Sequence, residues 1–125
     1  MKRVIQGLRG HVLIIEDEML IAMEIENLLA DMGFQTFDIA DSPDRALASA
    51  MAHRPDLITA DVRIIGGTGI EAVNAIIATL GPVPVVFVTG NIDDLRDQDP
   101  FALVEKPISA RSLAMACERV FDRAA

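Results

Sequence analysis

The sequence contains short, continuously apolar runs that each stop at or just before a polar residue. Residues 12–15 form one such run, and residues 57–60, in which Thr59 is the one polar residue, form another. Continuous rather than alternating hydrophobicity is typical of strands that are covered on both faces, as in parallel sheets. The polar residues near the ends of these runs are Glu16 and Asp17, Asp61, Thr89 and Lys106. We therefore predict a buried parallel sheet whose strand ends carry acids, a hydroxyl and an amine.

Segments with apolar residues at helical spacing separate the runs. Gly33 and Gly81 are typical of helix C-termini, whereas Ser42, which precedes a proline, and Ser109 are typical N-terminal caps. The residues predicted to face inward are Ile21, Ile25, Leu28, Leu29 and Met32, then Ala46, Leu47, Ala50 and Met51, then Ile70, Val73, Ile77 and Leu80, and finally Leu113, Ala116, Cys117, Val120 and Phe121. The methionines interpreted as packing residues within helices are Met19, Met23, Met32, Met51 and Met115.

The alternation of five strands with helices predicts the fold. An α/β chain of this kind forms a five-stranded parallel sheet with helices on both faces, and right-handed crossovers leave few topologies. The usual one is the flavodoxin-like, doubly wound (βα)5 fold with strand order 2-1-3-4-5. Residues 34–40 mix polar and apolar side chains, which predicts an edge position for strand 2. The aspartate-rich residues 91–100 predict a short or poorly ordered fourth helix. In this order strands 1 and 3 are neighbours, so Glu16, Asp17 and Asp61 are predicted to share one crevice.

Length and charge restrict the class of protein. With 125 residues, of which 51% are hydrophobic, the chain has the size of one globular domain. We assign residues 1–10 to an N-terminal arm and residues 11–125 to the domain. The net charge of −8 argues against nucleic acid or an anionic membrane as a partner. Without a signal peptide, a membrane-spanning apolar run or a second cysteine, we expect a soluble, cytoplasmic protein.

Three carboxylates in one crevice predict a bound cation. Each pair at about 4 Å costs on the order of 4 kcal/mol at an effective dielectric constant near 20. Asp17 and Asp61 offer the hard oxygen ligands that Mg²⁺ prefers, and Glu16 can reach the metal through a water molecule. We therefore predict a Mg²⁺ site at this edge of the sheet.

The neighbouring groups suit phosphoryl transfer to Asp61. A carboxylate can accept a phosphoryl group, and the reaction needs mainly positioning and neutralisation of charge. Lys106 can supply a point charge to a phosphate oxygen, Thr89 can donate a hydroxyl hydrogen bond, and Gly90 leaves room for the group to enter. Each residue alone has an ordinary structural explanation, but their joint placement at strand ends favours a site.

This arrangement resembles the receiver domain of bacterial two-component response regulators over residues 11–123. The motif consists of an acid pair, an acceptor aspartate, a threonine and a Lys-Pro step at the ends of predicted strands 1, 3, 4 and 5. The resemblance implies Asp61 as phospho-acceptor, Asp17 as direct Mg²⁺ ligand, Glu16 as outer-sphere acid, a ligand backbone carbonyl from Arg63, Thr89 as switch hydroxyl, Lys106 as phosphate counter-ion, a cis Lys106-Pro107 bond and Gly69 as the loop glycine. It also implies a histidine kinase or phosphotransfer protein as donor, an unidentified downstream protein, and no enzymatic activity beyond the domain's own phosphorylation and dephosphorylation.

Three features depart from the common receiver pattern. Leu103 replaces the usual aromatic switch residue, for which Phe101 is a candidate substitute, and Ile65 replaces a common proline. The segment between Thr89 and Lys106 is short. With the Val-Thr-Gly ending of strand 4, the chain looks like the atypical receivers that pair with stress-response kinases of alphaproteobacteria. Because the chain ends soon after its last helix, we expect a stand-alone receiver.

Three other functions compete with this interpretation. An aspartate-nucleophile phosphatase would want a second acid at the position of Arg63. A flavin-binding module would need a phosphate loop where the consecutive acids 16–18 would repel phosphate. The strongest rival is a pseudo-receiver, which binds proteins without becoming phosphorylated, because of Leu103 and the short fourth crossover.

Overall fold

The computed structural model describes residues 9–90 and 103–124. Its elements, in chain order, are β1 (His11–Ile15), α1 (Met19–Met32), β2 (Thr36–Ala40), α2 (Pro43–Ala52), β3 (Leu57–Asp61), β4 (Arg63–Ile64), β5 (Gly67–Thr68), α3 (Gly69–Leu80), β6 (Val85–Thr89), β7 (Leu103–Glu105) and α4 (Ala110–Ala124). The predicted fourth crossover helix in residues 91–100, Phe101 and most of the predicted N-terminal arm lie outside the described residues. Within residues 9–90 and 103–124, no helix is long and apolar enough to cross a membrane.

Five parallel strands form the main sheet, in the order β2-β1-β3-β6-β7. Apart from the short hairpin β4-β5 that follows β3, this is the predicted order 2-1-3-4-5, and the flavodoxin-like fold is confirmed. β2 lies at an edge of the sheet, as its mixed composition indicated, and only Ala40 at its end is buried. β1 and β3 lie side by side in the interior of the sheet, so the ends of both strands open at one place.

Helices cover both faces of the sheet and create two apolar cores. The core on the side of α1 and α4 contains Val12, Ile25 and Leu113. The core on the side of α2 and α3 contains Leu13 and Ile76. Neighbouring residues of one strand belong to different cores because successive strand side chains point to opposite faces. Burial on both faces explains why the strands are continuously apolar.

The predicted helix ends carry the expected capping interactions. Gly33 has a left-handed φ of 119° at the end of α1. The Ser42 side chain accepts a hydrogen bond from the backbone N–H of Arg45, with proline at the start of α2. The hydroxyl of Ser109, which directly precedes α4, accepts a hydrogen bond from the backbone N–H of Ser112 in the first turn at 3.0 Å. The sequence signals for these ends are confirmed.

The prediction that the helix methionines pack inside is wrong for four of the five. Met32 is buried, but the other four are exposed: Met19, Met23, Met51 and Met115. Met51, predicted to face the core, is 61% exposed. The buried face of α2 consists of Ala46 and Ala50. Met51 is turned by about 100° around the helix from Ala50, so its side chain projects away from this face into solvent.

Candidate functional site

The strand register brings the predicted site residues to one edge of the sheet. The last paired residues of β1 and β3 are Ile15 and Ala60. Glu16 and Asp61 directly follow them, so they lie at the same level of the sheet. Thr89 is one residue beyond the partner of Asp61 in β6, and Lys106 is one residue beyond the partner of Thr89 in β7. The C-terminal ends of neighbouring parallel strands therefore bring two acids, a hydroxyl-bearing residue and an amine to one crevice.

Lys106 contacts both inner acids. Its Nζ donates a hydrogen bond to Asp61 Oδ2 at 2.9 Å and to Glu16 Oε1 at 3.4 Å. Its backbone N–H donates to the carbonyl oxygen of Thr89 at 2.8 Å, which ties the end of β7 to the end of β6. The Lys106-Pro107 peptide bond is cis, as the resemblance implied. The lysine thus places a positive charge between the two carboxylates.

Burial changes the acid–base properties of the crevice. The side chain of Glu16 is fully buried, and its Oε2 accepts a hydrogen bond from the backbone N–H of Glu18 at 3.1 Å. The pKa of Glu16 is raised to about 7, chiefly by this burial. The Glu18 N–H and Lys106 oppose the rise, and the Asp61 charge adds to it. Burial would lower the pKa of Lys106, but the hydrogen bond to Asp61 and the charges of both acids outweigh it, so that pKa is raised. The pKa of each group therefore depends on the charges beside it.

The crevice opens into a cavity of about 460 Å³. The cavity is lined by Asp17, Glu18, Asp61, Arg63, Thr89, Gly90 and Lys106. Carboxylate oxygens of Glu16, Asp17 and Asp61 lie within 4.8 Å of one another. This donor set fits Mg²⁺, which binds carboxylate oxygens and keeps several of its waters. The residues thus offer a hard-oxygen cation site that is open to solvent.

Gly69 packs directly on the backbone of Asp61. Its N–H donates a hydrogen bond to the carbonyl oxygen of Val62 at 2.8 Å. A Cβ atom at this position would overlap the carbonyl oxygen of Asp61 and press on the Ala60 side chain. The start of α3 can approach the loop after Asp61 only because this residue is glycine. The resemblance had identified Gly69 as the loop glycine, but the contact that requires it is visible only in the folded chain.

Sequence reasoning left one residue of the crevice without a role. Glu18 lines the cavity and its N–H binds Glu16, and its place in an acidic triplet was the available signal. Of the departures from the receiver pattern, Leu103 is half-buried and pairs with Phe87 of β6. Ile65 is exposed, and its N–H donates to the carbonyl oxygen of Asp41.

Comparison with known proteins gives a consistent result. The response regulator receiver domain family matches residues 12–118. The chain is 34% identical over 108 residues to the phyllosphere-induced regulator PhyR of Methylorubrum extorquens, covering 82% of this chain and 40% of that protein. It is 32% identical over 117 residues to the transcriptional regulatory protein PdtaR of Mycobacterium tuberculosis, covering 90% of this chain and 57% of that protein. The chain therefore spans about half the length of these relatives.

A solved structure covers almost the same extent as this chain. The solution structure of the receiver domain of the PhyR response regulator from Erythrobacter litoralis superposes with a TM-score of 0.81. It is 32% identical in sequence, and the match covers 90% of this chain and 89% of that one. With the sheet order, the family match and this superposition in agreement, the chain belongs to the response regulator receiver domain family.

Proposed function

We propose that this receiver domain accepts a phosphoryl group on Asp61. The observation that carries the proposal is the position of the Lys106 amine, 2.9 Å from Asp61 Oδ2 and 3.4 Å from Glu16 Oε1, at the edge of an open cavity. The Asp61 side chain is 12% exposed, so a donor can reach it from the cavity. A carboxylate that is fixed by a cation and open on one side can act as a nucleophile toward phosphorus.

The donor in this proposal is a phosphohistidine of a histidine kinase or phosphotransfer protein. A carboxylate oxygen of Asp61 forms a bond to phosphorus as the P–N bond to the imidazole breaks, and the released imidazole takes up a proton. Lys106 remains beside the oxygens and neutralises charge that builds up on the transferred group. The protein's own contribution is therefore positioning and charge, without further covalent chemistry.

We assign the Mg²⁺ ligands to Asp17, Asp61 and the backbone carbonyl of Arg63, with Glu16 acting through water. Bound Mg²⁺ would supply positive charge to the phosphoryl oxygens. Glu16 is the buried acid of this group, so its charge is the one that most needs a nearby cation. Asp17 is exposed at the cavity, where a ligand can exchange with solvent.

We assign the signalling output to a change in protein binding. Thr89 is buried at the end of β6, and its side chain is the switch hydroxyl in this scheme. A phosphoryl group on Asp61 would attract that hydroxyl and alter the surface around the strand end. A net charge of −8 favours a protein as the downstream partner over nucleic acid. We place the protein in the cytoplasm, where a phosphorylated kinase would meet it.

The test is phosphorylation by a small phosphodonor in the presence of Mg²⁺. Intact-protein mass spectrometry should show one added phosphoryl group on the wild type and none on Asp61→Asn. Asp44→Asn is a matched control, because Asp44 is an exposed aspartate in the first turn of α2, outside the crevice. A phosphoryl group that persists on Asp61→Asn would disprove the assignment of the acceptor.

A second candidate is a pseudo-receiver that binds proteins in its unmodified state. The observation in its favour is Leu103, which lies half-buried on β7 where most receivers carry an aromatic switch residue. Failure of every phosphodonor and kinase to modify the folded, Mg²⁺-loaded wild type would favour this candidate.

A further inference from the structure

A second cluster of metal-ligating side chains lies at the opposite end of the sheet from Asp61. It consists of His11, Asp38 and His53, whose ligand atoms all lie within 4.8 Å of one another. His11 begins β1, while Glu16 follows the last residue of the same strand. At about 3.3 Å per strand residue, the two clusters are roughly 16 Å apart. This second cluster is therefore separate from the crevice.

His11 is held in the orientation that a metal ligand needs. The residue is 4% exposed, its Nδ1 lies 2.8 Å from Thr36 Oγ1, and its Nε2 lies 2.9 Å from Asp38 Oδ2. An ionised carboxylate only accepts, so the 2.9 Å contact is a hydrogen bond that Nε2–H donates to Asp38. A metal ion would take the place of that proton, and Nδ1 would then carry the remaining ring proton and donate it to Thr36 Oγ1. Ligating histidines commonly donate their second ring nitrogen in this way, which sets the tautomer and the ring plane.

The backbone of His11 is fixed by the start of β3. Its N–H donates a hydrogen bond to Asp56 Oδ2 at 2.8 Å, and the N–H of Asp56 donates to the His11 carbonyl oxygen at 2.7 Å. Gly10 has a φ of 109°, and a Cβ there would overlap the Asp56 carboxylate. The Asp56 carboxylate adds negative charge beside the cluster, which favours a cation.

His53 is the adjustable member of the cluster. It is the exposed residue that caps the end of α2, and its ring stacks on that of His11 with centroids 3.6 Å apart and an interplanar angle of 11°. In parallel stacked rings the nitrogen lone pairs lie in parallel planes and do not meet at one point. A rotation of the exposed ring out of the stack is therefore required before both histidines can bind one ion.

The neighbouring arginine is engaged by backbone carbonyl groups. Arg54 follows His53 directly, but its guanidinium donates hydrogen bonds to the carbonyl oxygens of Leu80 and Pro82 at the end of α3. Its charge is thus directed toward another helix. Asp38 is part of β2 and its side chain is 40% exposed, so the carboxylate is accessible to an ion from solvent.

We propose that His11, Asp38 and His53 bind a divalent transition metal of the zinc class. Such ions bind well to two imidazoles and one carboxylate, whereas Mg²⁺ favours oxygen ligands alone. Nitrogen and oxygen ligands lie about 2.0–2.2 Å from zinc, so Nε2 of His11 and Oδ2 of Asp38 need to separate by only a few tenths of an ångström. A water molecule completes the fourth position. The ion would join β1, β2 and the end of α2.

The test is Zn²⁺ binding to the full chain in the presence of excess Mg²⁺, measured by isothermal titration calorimetry. One Zn²⁺ per chain should bind to the wild type and to Asp61→Asn, which removes a ligand from the crevice. His53→Gln and Asp38→Asn should each weaken binding by at least the roughly 10–100-fold that loss of an outer-shell partner costs. Both positions are at the surface, so the variants should fold, which far-UV circular dichroism checks.

Histidine nitrogen NMR gives an independent readout. The chain contains 2 histidines, so ring ¹⁵N signals need little assignment. Zn²⁺ should shift signals of both rings in the wild type. Binding that is lost in Asp61→Asn, or that is unchanged in both His53→Gln and Asp38→Asn, would overturn the proposal and leave the His11–Asp38 pair as a structural hydrogen bond.

Discussion

At the scale of single residues, Glu16 is an acid whose environment differs strongly from water. Its carboxyl is fully buried, and the charges beside it have opposite effects: Lys106 favours ionisation and Asp61 opposes it. Burial is the dominant influence, and with all of these effects together the pKa of Glu16 is about 7. A buried carboxyl with a pKa near 7 makes the stability of the domain sensitive to both protons and cations.

The first prediction is a loss of stability with rising pH in the absence of divalent cations. The pKa of Glu16 is about 7 in the folded chain and about 4.5 in the unfolded chain, so between these values the folded state holds a proton that the unfolded state has released. Raising the pH through this window should lower the free energy of unfolding, by on the order of 3 kcal/mol in total. Urea unfolding at several pH values measures this change in the free energy of unfolding.

Two variants test the origin of this pH dependence. Glu16→Gln should remove most of the slope, whereas Glu24→Gln, on the exposed face of α1, should keep it. The raised pKa of Lys106 also stabilises the fold, and this contribution is fully present below pH 10.5, the ordinary pKa of lysine. It is lost only at higher pH, so it does not change the stability within the window of Glu16. An unchanged slope in Glu16→Gln would assign the effect to other groups.

The second prediction concerns Gly69. Gly69→Ala should destabilise the fold by about 2 kcal/mol, because its Cβ would overlap the Asp61 carbonyl oxygen and force a backbone shift. Gly90→Ala is the control, since a Cβ there meets no atom of the described residues within 4 Å. Thermal unfolding of both variants gives the comparison. Equal stabilities would show that α3 can move away from the loop after Asp61 at little cost.

At the scale of elements, α1 connects the crevice to an exposed apolar surface. The helix starts at Met19, close after the acids of β1, and buries Ile25 and Leu29 on its inner side. On its outer side Leu20 is 83% exposed, and Met19 and Met23 are exposed with it. We call Met19, Leu20 and Met23 the α1 patch. An exposed apolar patch of this kind next to a reactive group is typical of a protein contact.

The third prediction follows from the position of the α1 patch. A partner that brings a phosphohistidine to Asp61 has to cover the surface around the cavity, so Leu20→Ser should slow phosphorylation by the kinase about tenfold. The reaction with a small phosphodonor, which needs no protein contact, should be unchanged. Met51→Ser, an exposed methionine on α2, is the matched control. Equal losses with both donors would indicate damage to the crevice instead of a lost contact.

At the scale of the whole molecule, the fold concentrates acids at one edge of an otherwise apolar sheet. Three carboxylates meet where β1 and β3 end, in a chain whose net charge is −8. Within the described residues, Lys106 is the amine that hydrogen-bonds to two of them. The folded state therefore carries like-charge repulsion that the unfolded chain, with its charges far apart, does not.

The fourth prediction is that Mg²⁺ stabilises the fold through these acids. Binding to the folded state alone should add about 2.7 kcal/mol when the ion is at 100 times its Kd, and raise Tm by several degrees. Differential scanning calorimetry with and without Mg²⁺ measures this shift. Asp17→Asn should reduce the shift, whereas Asp44→Asn on α2 should retain it. An unchanged Tm in saturating Mg²⁺ would contradict the assigned ligands.

The sequence by itself determined the strands and order of the main sheet and the helix ends, because these depend on local patterns. Continuous apolar runs specify buried strands, and Ser42 and Gly33 bind backbone groups within their own helix ends. Topology rules then place the ends of strands 1 and 3 together. The predicted meeting of the acids and Lys106 needed no more than this, because parallel strands present their C-terminal ends at one edge.

Only the tertiary structure decided how each side chain is used. The burial of Glu16, the contact of Gly69 with the Asp61 backbone and the exposure of Met51 depend on how closely distant elements pack. The pairing of His11 with Asp38 depends on the register between β1 and β2. Such contacts join residues far apart in the chain, so no periodicity or local motif encodes them. Local sequence chose the elements, and packing between elements set the charges and distances on which the chemistry depends.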